Sequence, residues 1–308
     1  MKEPKIAIII INWNTYHLTF NCLKSLEACT YKNKTVFFVD NGSKDGSGDK
    51  IALEFPKTNY IKNEKNEGFT GANNKALRVI LEQNFDYVLL LNNDTEVNPN
   101  FLSLLESRMD SDKNLAATQP LILDFQKKDT IWNAGGSFNT FFGLSKTRLK
   151  GMIYKPKLKI DTFTEWISGC CILVKISVIK EVGLLDNHFF AYFEDVDWSI
   201  RMKRQGYKLG VVPSSIIYHH SSGSTKKNNT SSEGNLSPYV HYLNVRNHIY
   251  LINKHAFIFN SIGSWGYQVL KITSYSIYFI LRGRFEKFKM VWRGVFDGIK
   301  IKNIKNIV

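Results

Sequence analysis

"DYVLLLNNDTEV", residues 86–97, decides what kind of sheet this chain builds and asks what the sheet is for. From Tyr87 to Leu91 the run is apolar without alternation, the pattern of a strand covered on both faces. It then ends on Asn92, Asn93 and Asp94, one carboxylate beside two amides, with Glu96 just beyond. A strand buried on both faces delivers those polar groups to its end for a reason.

Similar segments flank it. IAIIIIN (6–12) reads as a buried strand, HLTFNCLKSLEA (17–28) as an amphipathic helix, and TVFFVD (35–40) as a second strand closed by the turn cluster Asn41-Gly42-Ser43. Tyr60-Ile61-Lys62 is a short third strand, Gly71-Ala72-Asn73 opens a helix running to about Leu81, and residues 86–92 form the fourth strand. Pro99 starts a helix over 99–109 at the first-turn position that proline favours. Strands and helices in alternation predict an α/β fold, a mainly parallel sheet flanked by helices. Ligands of such sheets bind beyond the carboxyl ends of the strands. Asn12-Trp13-Asn14, Asp40-Asn41 and Asn93-Asp94 all fall there.

The second half is more mixed. WISGCCILVK (166–175) reads as a strand, residues 176–182 as a helix, and EDVDWSIRMKRQG (194–206) as a short helix after an aromatic stretch. KLGVVP (208–213) and the run from Ile216 to His220 read as two further strands, and residues 221–238 as a polar, turn-rich loop.

Bulk properties narrow the classes. The 308 residues are 44% hydrophobic, which argues against disorder. Four cysteines without a CxxC pair suit a reducing cytosol and argue against structural zinc. The first apolar run is too short for a signal peptide or a span, and no other run reaches transmembrane length. The net charge is +14, and from Arg246 onward eleven Lys/Arg face two acids, leaving +9 in the tail. Residues 256–281 are aromatic-rich but broken by Asn260, Gln268 and Lys271, and RGRFEKFKMVWRGVFDGIKIK follows. These segments read as amphipathic helices that either lie on an anionic membrane surface or cap a catalytic domain. Nucleic acid is not an expected partner: charge alone suggests it, and no binding motif is present.

The absence of GxGxxG after the first strand and of GxxxxGK[ST] excludes a dinucleotide Rossmann site and a P-loop. In NEGFTGANN (66–74) two glycines precede a helix; their backbone N–H groups could face a diphosphate, or simply make a turn. Asp94 could hold Mg²⁺ or Mn²⁺, which take few protein carboxylates and complete their shell with phosphate and water. The alternative is an Asx turn closing the strand, and Asp40 carries the same choice. Functionally, Asp40 could accept hydrogen bonds from a pyrimidine ring or a ribose hydroxyl. Glu194-Asp195-Val196-Asp197 crowds three acids after aromatic residues, which raises carboxyl pKa values and suits a general base; it also suits a helix N-terminus. Asp195 and Asp197 point different ways on a helix. His219 and His220 face opposite sides of a strand, so only one can reach the cation of Asp94.

In this order the blocks IIIINWN, VDNGSKDGS, NEGFTGANNKAL, LLLNNDTEV, WISGCCILVK, GLLDNHFFAYFEDVDWSIRMKRQGYKLGVVPSSIIYHHSSGST and YLNVRNHIYLINKH resemble glycosyltransferase family 2, in its bacterial rhamnosyltransferase-like branch. The resemblance runs from Ile6 to about His255. It implies a GT-A fold with a C-terminal helical extension: a catalytic domain over 1–225, then a linker and basic amphipathic helical region over 226–308. It also implies inverting transfer from a nucleoside-diphosphate sugar, dTDP-rhamnose or a UDP-sugar, to a glycan acceptor. That acceptor would be lipid-linked, at the inner face of the plasma membrane, in surface polysaccharide synthesis. By position, Asp40 resembles the nucleotide-base contact with Asn12 and Asn41 nearby, while Asn66 and Gly71 line the diphosphate. Asn93-Asp94 resembles the metal motif, with Asn-Asn-Asp here where many members have Asp-x-Asp. His219 resembles a second metal ligand, Asp195 the catalytic base with Glu194 beside it, and Trp166, Ser168 and Gly169 an acceptor pocket. A non-catalytic nucleotide-sugar-binding or scaffold protein on this fold would keep Asp40 while losing the base or the metal residue. Asp94, Asp195 and His219 are all present, which favours an enzyme.

Overall fold

The computed structural model describes residues 3–160, 162–220 and 236–301, so the loop expected over 221–238 lies outside the described residues as far as residue 235. The chain divides into two compact units. One comprises Met1–Ser137, Thr147–Phe190 and Glu194–Gly223; the other comprises Phe138–Lys146, Ala191–Phe193 and Ser224–Val308.

The first elements alternate: β1 (Ile6–Asn12), α1 (Tyr16–Glu27), β2 (Lys34–Asp40), α2 (Ser47–Glu54), β3 (Asn59–Lys62), α3 (Gly68–Leu81), β4 (Tyr87–Asn92). There follow β5 (Thr95–Val97), α4 (Phe101–Ser111), β6 (Leu115–Asp124), β7 (Ile131–Asn133), and a hairpin of β8 (Gly136–Asn139) and β9 (Leu144–Thr147). After these come β10 (Phe163–Thr164), β11 (Cys171–Lys175), α5 (Ile176–Val182), α6 (Glu194–Arg204) and β12 (Lys208–His219). The sheet order is β10-β12-β6-β11-β4-β1-β2-β3, with β5 on β12 and β7 on β6. It is parallel from β3 to β4 and mixed beyond, because β11 enters antiparallel to both neighbours.

Alternate residues of the central strands feed two cores. Ile6, Ile8 and Ile10 pack with Leu23, Leu26, Ile51 and Phe101 on one face. Ala7 and Ile9 pack with Ala76, Leu77, Ile179 and Trp198 on the other. Each fully buried aliphatic or aromatic side chain contributes about 1.5–3 kcal/mol, so two-sided burial explains the unbroken apolar strands.

Register gathers the polar strand ends. Asn12 pairs with Asp40, and Ile11 with Asn92, so β1, β2 and β4 finish level. Cys171 pairs with Leu91, bringing the segment before β11 to the same edge. His219 pairs with Thr95, which sets it beside Asp94.

Four details depart from the sequence reading. Helix α3 begins at Gly68, three residues early, where the Asn66 side chain accepts the Gly68 N–H at 2.8 Å. Helix α4 begins at Phe101, leaving Pro99 just outside it. The strand expected over 166–175 exists only from Cys171, because the N–H groups of Ser168 and Gly169 go to the side chains of Gln119 and Asp195 instead of a neighbouring strand. The two strands expected around Pro213 are one, β12, which absorbs the proline at a register shift between Val212 and Ile216.

The second unit is helical: α7 (Pro238–Lys254), α8 (Ser261–Leu281) and α9 (Phe285–Lys300). Ser237 caps α7, with Pro238 in its first turn. Helix α9 lies against α7 through Gly294 and Gly298, where an added Cβ would stand 2.8 Å from Tyr242 O and 2.7 Å from Arg246 O. Val245, Ile249, Ile272, Phe279 and Val291 form this unit's core. Among the described residues no helix is long and apolar enough to cross a membrane.

Candidate active site

The ends of β1, β2 and β4 are tied together by side chains. Asn12, fully buried, points its Nδ2 at Ser47 Oγ (2.8 Å), Ser43 Oγ (3.0 Å) and Asp40 Oδ1 (3.1 Å). Its Oδ1 accepts from the hydroxyls of Thr19 (2.8 Å) and Thr15 (3.2 Å). Those same hydroxyls accept from Asn93 Nδ2, at 2.7 and 2.6 Å. Asp40 also accepts from the backbone and side chain of Ser43, and Gly48 of α2 lies so close that a Cβ there would strike the carboxyl. Asn41 cross-links the turn ahead of α3: it donates to Asn66 Oδ1 and Gly68 O and accepts from Asn63 Nδ2 and the Glu67 N–H. Gly71 sits inside the first turn of α3, where a Cβ would crowd Glu67 at 2.8 Å. Asn12, Asp40, Asn41, Asn66, Gly71 and Asn93 thus share one edge, most of them as members of a bonded frame.

Asp94 is different. The turn after β4 is closed by Thr95, whose hydroxyl donates to Asn92 O at 2.6 Å, so the Asp94 side chain is not needed for it. Asp94 is buried, and the described residues offer its Oδ1 no donor apart from the imidazole of His219, whose Nε2 faces it at 3.3 Å.

His219 Nδ1 is likewise without a partner among the described residues. Burial opposes protonation of His219, but the adjoining Cys170 thiol and Asp94 carboxylate outweigh it and move the imidazole pKa upward. His220, on the other face, pairs with Glu96 at 3.2 Å and stacks on Phe125. Two ligands about 2.1 Å from one octahedral ion stand roughly 3 Å apart, so Asp94 Oδ1 and His219 Nε2 are spaced to share a small hard cation. Among the described residues no three His, Cys, Asp or Glu side chains cluster as a cage. The pair therefore fits an ion that takes its other ligands from phosphate and water.

The acids of α6 divide the labour. Asp195 accepts the Gly169 N–H on Oδ2 (2.9 Å) and the Val196 N–H on Oδ1 (2.8 Å). Burial raises its pKa, while those two backbone bonds pull the other way. Glu194 is buried with Oε2 lacking a partner among the described residues, and burial, then the neighbouring Asp195 charge, push its pKa well up. When one of these carboxyls ionises it holds the proton on the other. Asp197 is structural: fully buried, it pairs with Arg201 at 2.9 Å, and Arg201 also donates to the carbonyls of Val182 and Leu184. Before α6 the backbone is contorted: Phe190, Tyr192 and Phe193 all have positive φ, a cost of about 1–3 kcal/mol each that clusters at working sites. Phe190 O is held by the Thr70 N–H at 3.1 Å.

Gly169 joins the two halves of the site. Its N–H holds Asp195, the next residue, Cys170, adjoins His219, and Cys170 O accepts the Asn92 N–H at 2.9 Å. Ser168 Oγ accepts the Cys170 N–H, at 3.3 Å. Trp166 lies on Gly136 and donates its indole N–H to Ser137 O at 3.3 Å. Sequence reasoning did not single out Thr15, Thr19, Ser43, Ser47 or Cys170. Their signal is position alone, within a few residues of a strand end.

The sequence profile of Glycosyl transferase family 2 matches residues 7–183. The chain is 24% identical over 212 residues to an N-acetylglucosaminyl-diphospho-decaprenol L-rhamnosyltransferase of Mycobacterium tuberculosis, covering 63% of this chain and 68% of that protein. It is 22% identical over 252 residues to the dTDP-rhamnosyl transferase RfbF of Shigella flexneri, covering 82% and 81%. Among solved structures it is similar, at TM-score 0.60 and 18% identity, to GalNAc-T7 with UDP, GalNAc and Mn²⁺, over 81% of this chain and 48% of that one, about half its length. At the same TM-score and 10% identity it is similar to the mannosyltransferase PcManGT of Pyrobaculum calidifontis in complex with GDP-Man and Mn²⁺, over 98% and 89%.

Proposed function

The chain belongs to glycosyl transferase family 2 and has the GT-A fold, and from that premise we propose that it is an inverting, metal-dependent transferase moving a sugar from a nucleoside-diphosphate donor to a glycan acceptor. The observation that carries the reading is the buried Asp94 Oδ1 facing His219 Nε2 at 3.3 Å, on the sheet edge where Gly169 holds Asp195. L-Rhamnose carried on dTDP is the proposed donor, supported by the relatives' names. A lipid-linked glycan is the proposed acceptor, supported by the decaprenol-linked substrate in the name of the M. tuberculosis relative.

In this reading the base and ribose settle against Asp40, inside the frame of Asn12, Asn41, Asn66 and Asn93, with Gly71 near the diphosphate. Asp94 and His219 would hold a Mg²⁺ or Mn²⁺ ion, which would supply positive charge to the departing diphosphate. Asp195, with one backbone bond on each oxygen, keeps lone-pair capacity for the acceptor hydroxyl. It takes the hydroxyl proton as the oxygen attacks the anomeric carbon and the bond to the diphosphate breaks, inverting that carbon. Glu194 stays protonated beside it, so the pair carries one negative charge. Trp166, Ser168 and Gly169 form the acceptor side, with Gly169 in direct contact with the base.

We place the protein at the cytoplasmic face of a membrane. Helix α8 exposes Ile262, Val269, Ile277 and Leu281, and α9 exposes Phe285, Trp292, Phe296 and Ile299 together with the cations Lys289 and Arg293. Flotation with anionic vesicles checks this: the intact chain should rise with them at low salt, and staying in solution counts against it.

The donor reading is tested by thermal shift with a panel of nucleoside diphosphates and their sugars, with and without Mn²⁺. A ligand that prefers the folded state raises Tm. dTDP-rhamnose with Mn²⁺ should give the largest rise, and equal shifts without the ion would contradict the metal assignment.

A further inference from the structure

The three residues ahead of the acidic pair belong to the helical unit. Ala191–Phe193 groups with α7, α8 and the 138–146 hairpin, and it runs directly into Glu194 and Asp195. Tyr192 and Phe193 have φ values of 73° and 71°, and Phe190, just before, has 62°. Consecutive non-glycine residues do not hold such angles unaided; their surroundings must fix them.

Two neighbouring residues of α7 do the fixing. Asn247 is fully buried, and its Nδ2 donates to Ala191 O at 2.7 Å and Tyr192 O at 2.9 Å, using both hydrogens on the turn. Arg246 Nε donates to Asn247 Oδ1 at 2.8 Å, which sets the amide's orientation. His248 stacks on the Phe193 ring, centroids 5.1 Å apart and planes at 13°. The imidazole is itself oriented: Nε2 lies 2.7 Å from Gly143 O and so carries the hydrogen, leaving Nδ1 to accept from Gln268 Nε2 at 2.9 Å. Burial, with help from Lys271 nearby, lowers the His248 pKa to about 3, so the ring remains neutral over the working range. Asparagine is a poor helix former, and a buried amide costs stability unless bonded. Asn247 and His248 are instead both engaged with the turn.

We infer that Asn247, supported by His248, is a positioning residue for transfer: it clamps the Ala191–Phe193 turn and so sets where α6 starts and where Asp195 points. This rests on the proposed role of Asp195 as base.

The test compares Asn247→Asp, which replaces both donors with an acceptor at constant size, with Val291→Ala, which loosens the helical core without touching the turn. Hydrogen exchange of the peptide covering 187–198 is read beside kcat and donor KM. Asn247→Asp should speed exchange there about tenfold, and lower kcat about 100-fold with donor KM little changed. Val291→Ala should lower Tm while leaving both readings near wild type. Should Asn247→Asp fail to fold, Phe193→Leu removes the stack alone and should move both readings in the same direction by less. Unchanged exchange in the turn, equal acceleration by Val291→Ala, or a looser turn with undiminished kcat would each overturn the inference. If the wild-type chain transfers no sugar, it is the reading of function that fails, and exchange alone then decides whether the clamp exists.

Discussion

The two halves of the sheet's carboxyl edge are built on opposite terms. At the ends of β1 and β2, Asn12, Asp40 and Asn41 bond to one another, to serines and threonines, and to the turn before α3. At the ends of β4 and β12 and the start of α6, His219 Nδ1 and Glu194 Oε2 are buried without a partner among the described residues, and Asp94 Oδ1 has only the His219 imidazole at 3.3 Å; in the frame, Asn63 Oδ1 is left so. A buried polar atom without a partner costs about 1–3 kcal/mol. Folding alone gives no reason to leave the His219 and Glu194 atoms so; a ligand that completes them does. The bonded half is a frame, and the bare half is where the chemistry is proposed to happen.

Substitutions should separate the halves. The largest effect is expected from Asp195→Asn, which keeps the shape but removes the proton acceptor: transfer should fall by about 10²–10⁴-fold, with the donor's Tm shift intact. Turnover near the wild-type rate would show that the base lies elsewhere. Asp197→Asn, two residues on, should lower stability instead, by about 3–5 kcal/mol, because it leaves the mostly buried Arg201 without its counter-charge; denaturant unfolding measures this. In the frame, Asn12→Ala should cost about 1–3 kcal/mol by stripping partners from Asp40, Thr15 and Thr19. If it instead left stability untouched, the frame would not be holding the edge together.

The smallest effect is a gain. Burial, then the neighbouring Asp195 charge, raise the Glu194 pKa in the folded chain. The folded state then binds more protons than the unfolded one, whose glutamate titrates near 4.3, so stability falls as pH rises from there through the raised value. Glu194→Gln removes that cost. Its Tm should exceed wild type by a few degrees at pH 8, about 1 kcal/mol, and the difference should close toward pH 4. A constant difference across the range would mean that packing, not ionisation, sets it.

The frame's strands were legible because two-sided burial leaves unbroken apolar runs; β1 matches its expected limits. Helix α2 was not, since SGDKIALE follows a glycine- and serine-rich turn and Gly48 looks like more of it. Only the structure reveals that Gly48 is the gap into which Asp40 fits. Trp166 to Cys170 looked like strand because their side chains are apolar or small, yet the N–H groups of Ile167, Ser168 and Gly169 are spent on the side chains of Ser199, Gln119 and Asp195. The meeting of Asp94 with His219 depends on pairing β5 with β12, residues more than a hundred positions apart, and no local periodicity encodes that. Asn247 and His248 lay inside YLNVRNHIYLINKH, legible as a block but not as a clamp, because their partners are backbone carbonyls and a ring elsewhere in the chain.

Crystals soaked with Mn²⁺ and dTDP test the central claim most directly, through the ion's anomalous signal. One peak is expected, bonded to Asp94 Oδ1 and His219 Nε2 at about 2.1–2.3 Å, with diphosphate oxygens and water completing its shell and the Asp195 carboxylate facing the same cleft. Manganese bound elsewhere, or a nucleotide lying away from Asp94 and His219, would contradict it.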